Sequence, residues 1–250
     1  MNNNQSDDFT ELKIHEGKKI SLNKAYIGEF VYGGIDGAIT TFAVVAGAEG
    51  AGLGISVVII LGIANLIADG FSMSVGNFFS TKTEQDTFDK YRKKEFWEIE
   101  NLRDREVEEI KSIFEEKGFE GDLLNQVVEV ITGNKDVWVD TMMKDELGMI
   151  KGEKTPYKTA GITFLSFVLI GTVPLLSYVF ISDDISSSGA TLFVYSCILT
   201  GVALAIVGAL KSLVTEKNLF IGMIETIFLG GIAALLAYYL GDVLENMFRT

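Results

Sequence analysis

Five stretches of the chain run for about 20 residues or more with almost no charge, the length that carries a helix across bilayer hydrocarbon. They cover residues 27–49, 56–80, 158–182, 190–214 and 219–247. Between the second and third, the pattern changes to polar with a helical period. Val107, Ile110 and Phe114, then Leu124, Val127, Val128 and Ile131, recur at three and four residues, which predicts amphipathic helices that pack into a small bundle. Gly118 and Gly148 stand where two of these helices stop. No Pro-, Gly- or Ser-rich linker follows the second span, so it is expected to run on as one long helix into the polar region.

The pattern therefore predicts an all-α membrane protein: five transmembrane helices with a helical polar domain inserted between spans two and three. Its divisions are an N-terminal segment (1–26), spans one and two (27–81), the polar domain (82–157) and spans three to five (158–250). The first 20 residues lack an apolar core and do not read as a cleavable signal peptide.

Composition sharpens this picture. The 250 residues carry a formal charge of −13, yet their mean hydropathy is +0.30. Both hold together only if charge and apolar surface are segregated along the chain, and 20 of the 34 acidic residues do fall in 82–157. Of the 21 basic residues, fourteen lie from Lys82 to Lys158 and four precede the first span. With the N-terminus inside, 20 of the 21 are cytoplasmic, as the positive-inside rule prefers. A single Cys197 excludes an internal disulfide, and the single His15 lies outside the spans, so neither thiol-zinc nor Ser-His chemistry can be built there. The acidic excess argues against nucleic acid as a partner. No enzymatic activity is expected.

Asp36 lies mid-span in GGIDGAITTF, and Asp69 lies in the second span with Met73 one turn further along the same face. A carboxylate in hydrocarbon costs at least about 2.5 kcal/mol, which makes Asp36 a candidate for an ion or proton path; a hydrogen bond to a neighbouring helix is the other reading. Glu225 in the fifth span reads equally as a path residue or as an interfacial acid. In the polar domain Glu95 and Glu98 form an i,i+3 pair that Glu106 and Glu109 repeat eleven residues later. Each pair shares a helix face and can hold a divalent cation, although on one straight helix the pairs would lie about 16 Å apart. They meet only if the chain turns near Asn101–Asp104 or a second subunit contributes. Met142, Met143 and Glu146 add thioether sulfur to carboxylate oxygen, a mixture that suits Fe²⁺ or Mn²⁺. The plain alternatives are a solvated acidic face and methionines that fill a core.

Taken together, GGIDGAITTFAVVAG, NLIADGFSMSVGNFFSTKTE, the four-Glu ladder, VWVDTMMKDELG and FVLIGTVPLLSY resemble the vacuolar iron transporter family, which includes the yeast calcium-cross-complementer proteins and many bacterial members. The resemblance implies a five-span homodimer that moves Fe²⁺, and also Mn²⁺ or other divalent metals such as Co²⁺ and Zn²⁺, out of the cytosol by proton antiport. It implies that Asp36 and Met73 line the path at the dimer interface. It further implies that Glu95, Glu98, Glu106, Glu109, Met142, Met143 and Glu146 bind metal in the cytoplasmic domain. Asn77 departs from the branch of the family that has Glu there. No prosthetic group is expected; metal ions, protons and the bilayer are the partners. A bacterial plasma membrane is favoured, with a vacuolar membrane as the alternative. A membrane-anchored metal sensor or buffer without transport is the competing function.

Overall fold

The computed structural model describes residues 17–180 and 189–248. Residues 1–16, which include His15, residues 181–188 and residues 249–250 lie outside the described residues. Every regular element among the described residues is helical. In chain order these are α1 (Gly17–Gly50), α2 (Ile55–Asn101), α3 (Arg103–Glu116), α4 (Gly121–Thr132), α5 (Lys135–Thr141), α6 (Pro156–Gly171), α7 (Leu176–Phe180), α8 (Gly189–Thr215) and α9 (Leu219–Phe248). A π-helical turn, Met142–Glu146, continues α5, and a 3-10 turn, Val173–Leu175, joins α6 to α7. Among the described residues, five segments are long and apolar enough to cross a membrane: Tyr26–Gly50, Ile55–Asn101, Pro156–Phe180, Gly189–Thr215 and Leu219–Phe248. The long second helix is continuous through 47 residues, as the missing linker predicts.

The third span differs from the unbroken helix expected for 158–182. Pro174 has no N–H and its ring crowds the preceding turn, so the helix tightens into the 3-10 turn before resuming at Leu176. The Pro174 carbonyl accepts a bond from Ser196 Oγ at 2.7 Å, so the break is tied to α8.

The chain divides into two compact units, Ser80–Glu153 and the remainder. Within the larger unit α1 touches α6, α8 and α9, and glycines permit the close approach. A Cβ on Gly37 would collide with the Phe167 carbonyl of α6, and one on Gly241 of α9 with the Gly47 carbonyl. Lipid supplies no hydrophobic drive between helices, so such contacts depend on backbone proximity and polar ties. Thr226 Oγ1 donates to the Leu204 carbonyl at 2.8 Å between α9 and α8. Ser74 Oγ donates to the Ala160 carbonyl at 2.9 Å, and Asn77 Nδ2 to Thr163 Oγ1 at 2.8 Å, fastening α2 to α6. Asn77 thus has a structural use in this chain. Ile60, Ile67, Phe71, Ile206, Phe228 and Leu236 are exposed, as lipid-facing side chains are.

The smaller unit comprises the charged end of α2, α3 to α5 and the π turn. Its core is built from Ile99, Ile110, Ile131, Trp138, Val139, Met142 and Met143. Asn134 caps α5 by accepting from the Asp136 and Val137 N–H groups at 3.1 and 3.3 Å. Gly118 and Gly148 adopt positive φ of 90° and 62°, the backbone state that lets these helices stop.

Candidate functional site

The two Glu pairs belong to different helices. Leu102 leaves the helical region with φ −128° and ψ 33°, which ends α2 at Asn101 and starts α3 at Arg103. No Gly or Pro marks this break. Its compensation is burial: Ile99 before it and Ile110 after it enter one core, 3% and 0% exposed. The bend also carries Glu106 and Glu109 back toward Glu95 and Glu98, the turn that the spacing required.

Glu95 and Glu106 are buried at 2% and 1% exposure, and each keeps an Oε2 without a hydrogen-bond partner. A buried carboxylate oxygen without a partner is costly, and the cost appears in its proton affinity. Burial, then the charges of Glu146 and Glu98, push the Glu95 carboxyl up to about 7. Burial, then Glu109, Glu95, Glu98 and Glu146, push Glu106 up to about 7 as well. Glu146 is also raised, first by burial and then by Glu109. Five carboxylates from α2, α3 and the π turn therefore share one field.

Met142 and Met143 are 0% and 1% exposed and pack in the same core as Ile99 and Ile110. The π turn is the part of the arrangement that the sequence did not announce. Leu147 N–H donates to the Met142 carbonyl at 3.2 Å, five residues back, which widens the turn and re-aims the side chains of Met142 to Glu146. Among the described residues no three His, Cys, Asp or Glu side chains already stand together as a ligand set for one ion. Two carboxylates are held by the chain's own cations: Lys94 Nζ lies 2.8 Å from Glu98 Oε2, and Arg105 Nε lies 2.9 Å from Glu109 Oε1. These basic residues were missed from the sequence. The signal was present, since one stands directly before the first Glu of each pair.

In the larger unit, Asp36 is half-buried on α1 and Asp69 is exposed on α2. Their carboxylates lie within electrostatic range of each other. Met73 is partly buried against the core of Val58, Leu66 and Phe167. Glu225 pairs with Lys211 at 2.8 Å between α9 and α8, a placement that the ion pair explains by itself.

Apolar spans, small-residue crossings and a charged helical unit between two spans define a multi-pass helical membrane protein. Residues 27–242 match the model of the VIT family. The chain is 31% identical to a vacuolar iron transporter of Toxoplasma gondii over 92% of this chain and 78% of that protein. It is 32% identical to one from Plasmodium falciparum over 97% and 90%, respectively. It is likewise 32% identical to vacuolar iron transporter 1 of Oryza sativa subsp. japonica over 93% and 90%. The chain belongs to the VIT family, as the resemblance of its motifs implies.

Proposed function

We propose that the protein moves Fe²⁺, and with it Mn²⁺ and similar divalent metals, out of the cytosol in exchange for protons. The observation that carries this reading is the pair of buried, partnerless carboxylate oxygens on Glu95 and Glu106. Folding isolates such oxygens only at a cost, and a divalent cation bound between them would offset it. Glu98, Glu109 and Glu146 would supply further oxygens, and Met142 and Met143 the softer sulfur that favours transition metals over Ca²⁺.

In this reading the smaller unit is cytoplasmic and collects the ion, with its acidic surface raising the local cation concentration. Asp36, Asp69 and Met73 coordinate the ion in the spans, in a homodimer whose second copy meets the exposed face of α2. Protonation of Asp36 from the outer side weakens its hold and releases the metal, so one carboxylate serves cation and proton by turns. Glu225 serves the turn between α8 and α9 and stays outside the path. An anchored metal buffer would not need carboxylates at Asp36 and Asp69, whose place within apolar helices favours transport.

Proteoliposomes loaded with a metal-sensitive dye and energised by a pH gradient test the proposal. Asp36→Ala should abolish Fe²⁺ and Mn²⁺ flux, and wild-type flux through that variant would overturn it.

A further inference from the structure

The Glu pairs are parts of a longer repeat. Lys94-Glu95-Phe96-Trp97-Glu98 and Arg105-Glu106-Val107-Glu108-Glu109 both read basic residue, Glu, two intervening residues, Glu. The structure assigns the same division of roles in each half. The first Glu is buried with an unpartnered Oε2. The second is gripped by the basic residue four positions before it, at 2.8 Å for Lys94–Glu98 and 2.9 Å for Arg105–Glu109. Helix register produces this, because i and i+4 share a face while the residue between them in the repeat turns toward the core.

Ordinary helix stabilisation is a poor account of these pairs. A basic residue N-terminal to its acid is the weaker orientation against the helix dipole, and here both pairs take it. Both cations also remain open to water, with side-chain exposures of 56% for Lys94 and 65% for Arg105. Pairs of this kind are easily broken, each corresponding to about a fivefold equilibrium effect at most.

We propose that Lys94 and Arg105 are resident counter-ions of the collecting site, which occupy Glu98 and Glu109 until a divalent cation displaces them. This rests on the reading of the Glu cluster as a metal-collecting site and adds a function for its two nearest cations. A divalent ion gains enough from several carboxylates to displace both side chains, whereas Na⁺ or K⁺ offers no more charge than the group it would replace. The displaced cations stay tethered beside the site. Their repulsion keeps binding loose and returns the carboxylates to them as the ion leaves. Lys94 and Arg105 are thus positioning residues that set affinity and exclude monovalent ions.

Calorimetric titration of the full-length protein in detergent with Mn²⁺ or Co²⁺, with and without 0.3 M KCl, tests the idea. Lys94→Gln and Arg105→Gln should each tighten binding about threefold to fivefold, and the double variant about tenfold or more. The double variant should also lose affinity to K⁺ more steeply than the wild type, while the double exchange Lys94→Arg with Arg105→Lys should restore wild-type values. Unchanged or weaker binding in the neutral variants, or no restoration by the charge-conserving exchange, overturns the proposal. A different result sinks the underlying reading: wild-type titration curves that Glu95→Gln with Glu106→Gln leave unaltered would show that no metal is collected here. Thermal melts identify any variant that fails to fold, and the single substitutions then carry the test.

Discussion

Glu95 and Glu106 are eleven residues apart, too far to meet on one straight helix, yet the charge of Glu95 acts on the Glu106 carboxyl. A bend at one residue, Leu102, brings about the approach. The two carboxyls are consequently buried, lack partners for one oxygen each, and gain and lose protons near neutrality. The same local cause accounts for their burial and for their raised proton affinity.

Metal binding should therefore depend steeply on pH and should release protons. With both carboxyls pushed up to about 7, protons occupy the site below that pH and leave it above. Affinity for Mn²⁺ should rise between pH 6 and 8, by up to about a hundredfold per pH unit while both protons must leave. Calorimetry in buffers of different ionisation enthalpy measures the protons released. Metal binding with no proton released at pH 6.5 would contradict the raised proton affinity of these carboxyls or their part in binding.

Stability without metal should run the other way. A carboxyl raised in the folded state above its unfolded value near 4.3 stabilises the fold below that value, and this contribution is lost as pH rises through about 7. The metal-free protein should then melt at higher temperature at pH 5.5 than at pH 8. Glu95→Gln with Glu106→Gln should raise the melting temperature at both pH values, and by more at pH 8 than at pH 5.5. Circular dichroism melts at the two pH values decide this.

The spans were legible because bilayer hydrocarbon imposes a length and an apolar composition that show directly in the order of residues. Ile110 and Ile131 of the bundle core were legible for the related reason of helical periodicity. The site was legible only as residue types. The bend at Leu102 carries no Gly or Pro, and the π turn at Met142–Glu146 depends on packing between elements far apart in sequence. Pro174 did mark its break, and the apolar run around it obscured the signal. The pairing of Lys94 with Glu98 follows from i,i+4 spacing and could have been read at once.

Helix crossings in the larger unit give a stability test independent of metal. A side chain at Gly37 must displace the Phe167 backbone, and Gly171 on the facing helix would press a Cβ against the Gly37 carbonyl at 2.8 Å. Gly37→Ala should cost about 1–3 kcal/mol, the penalty of overpacking a fixed contact. At Gly28 nothing lies within 4 Å of the same Cβ, so Gly28→Ala should be neutral or stabilise by up to about 1 kcal/mol. Thermal unfolding in detergent should separate the two substitutions, and equal melting temperatures would refute the close crossing.

Trp138 offers a readout of the carboxylate cluster without added labels. It is wholly buried in the core with Met142 and Met143, with the Arg103 guanidinium 5.0 Å from its ring centroid and its indole N–H unpartnered. The only other tryptophan, Trp97, is 56% exposed. An ion drawn between Glu95 and Glu106 changes the charge beside this core, and Co²⁺ also quenches nearby emission. Titration with Co²⁺ should thus reduce the blue-shifted component of the fluorescence in a saturable way. Trp97→Phe should preserve that component and its saturation, whereas Trp138→Phe should remove it. Glu95→Gln with Glu106→Gln should leave the blue-shifted emission in place and abolish its response to metal. A saturable response that persists in Trp138→Phe and disappears in Trp97→Phe would locate the ion on the exposed face of α2, away from the two buried carboxylates.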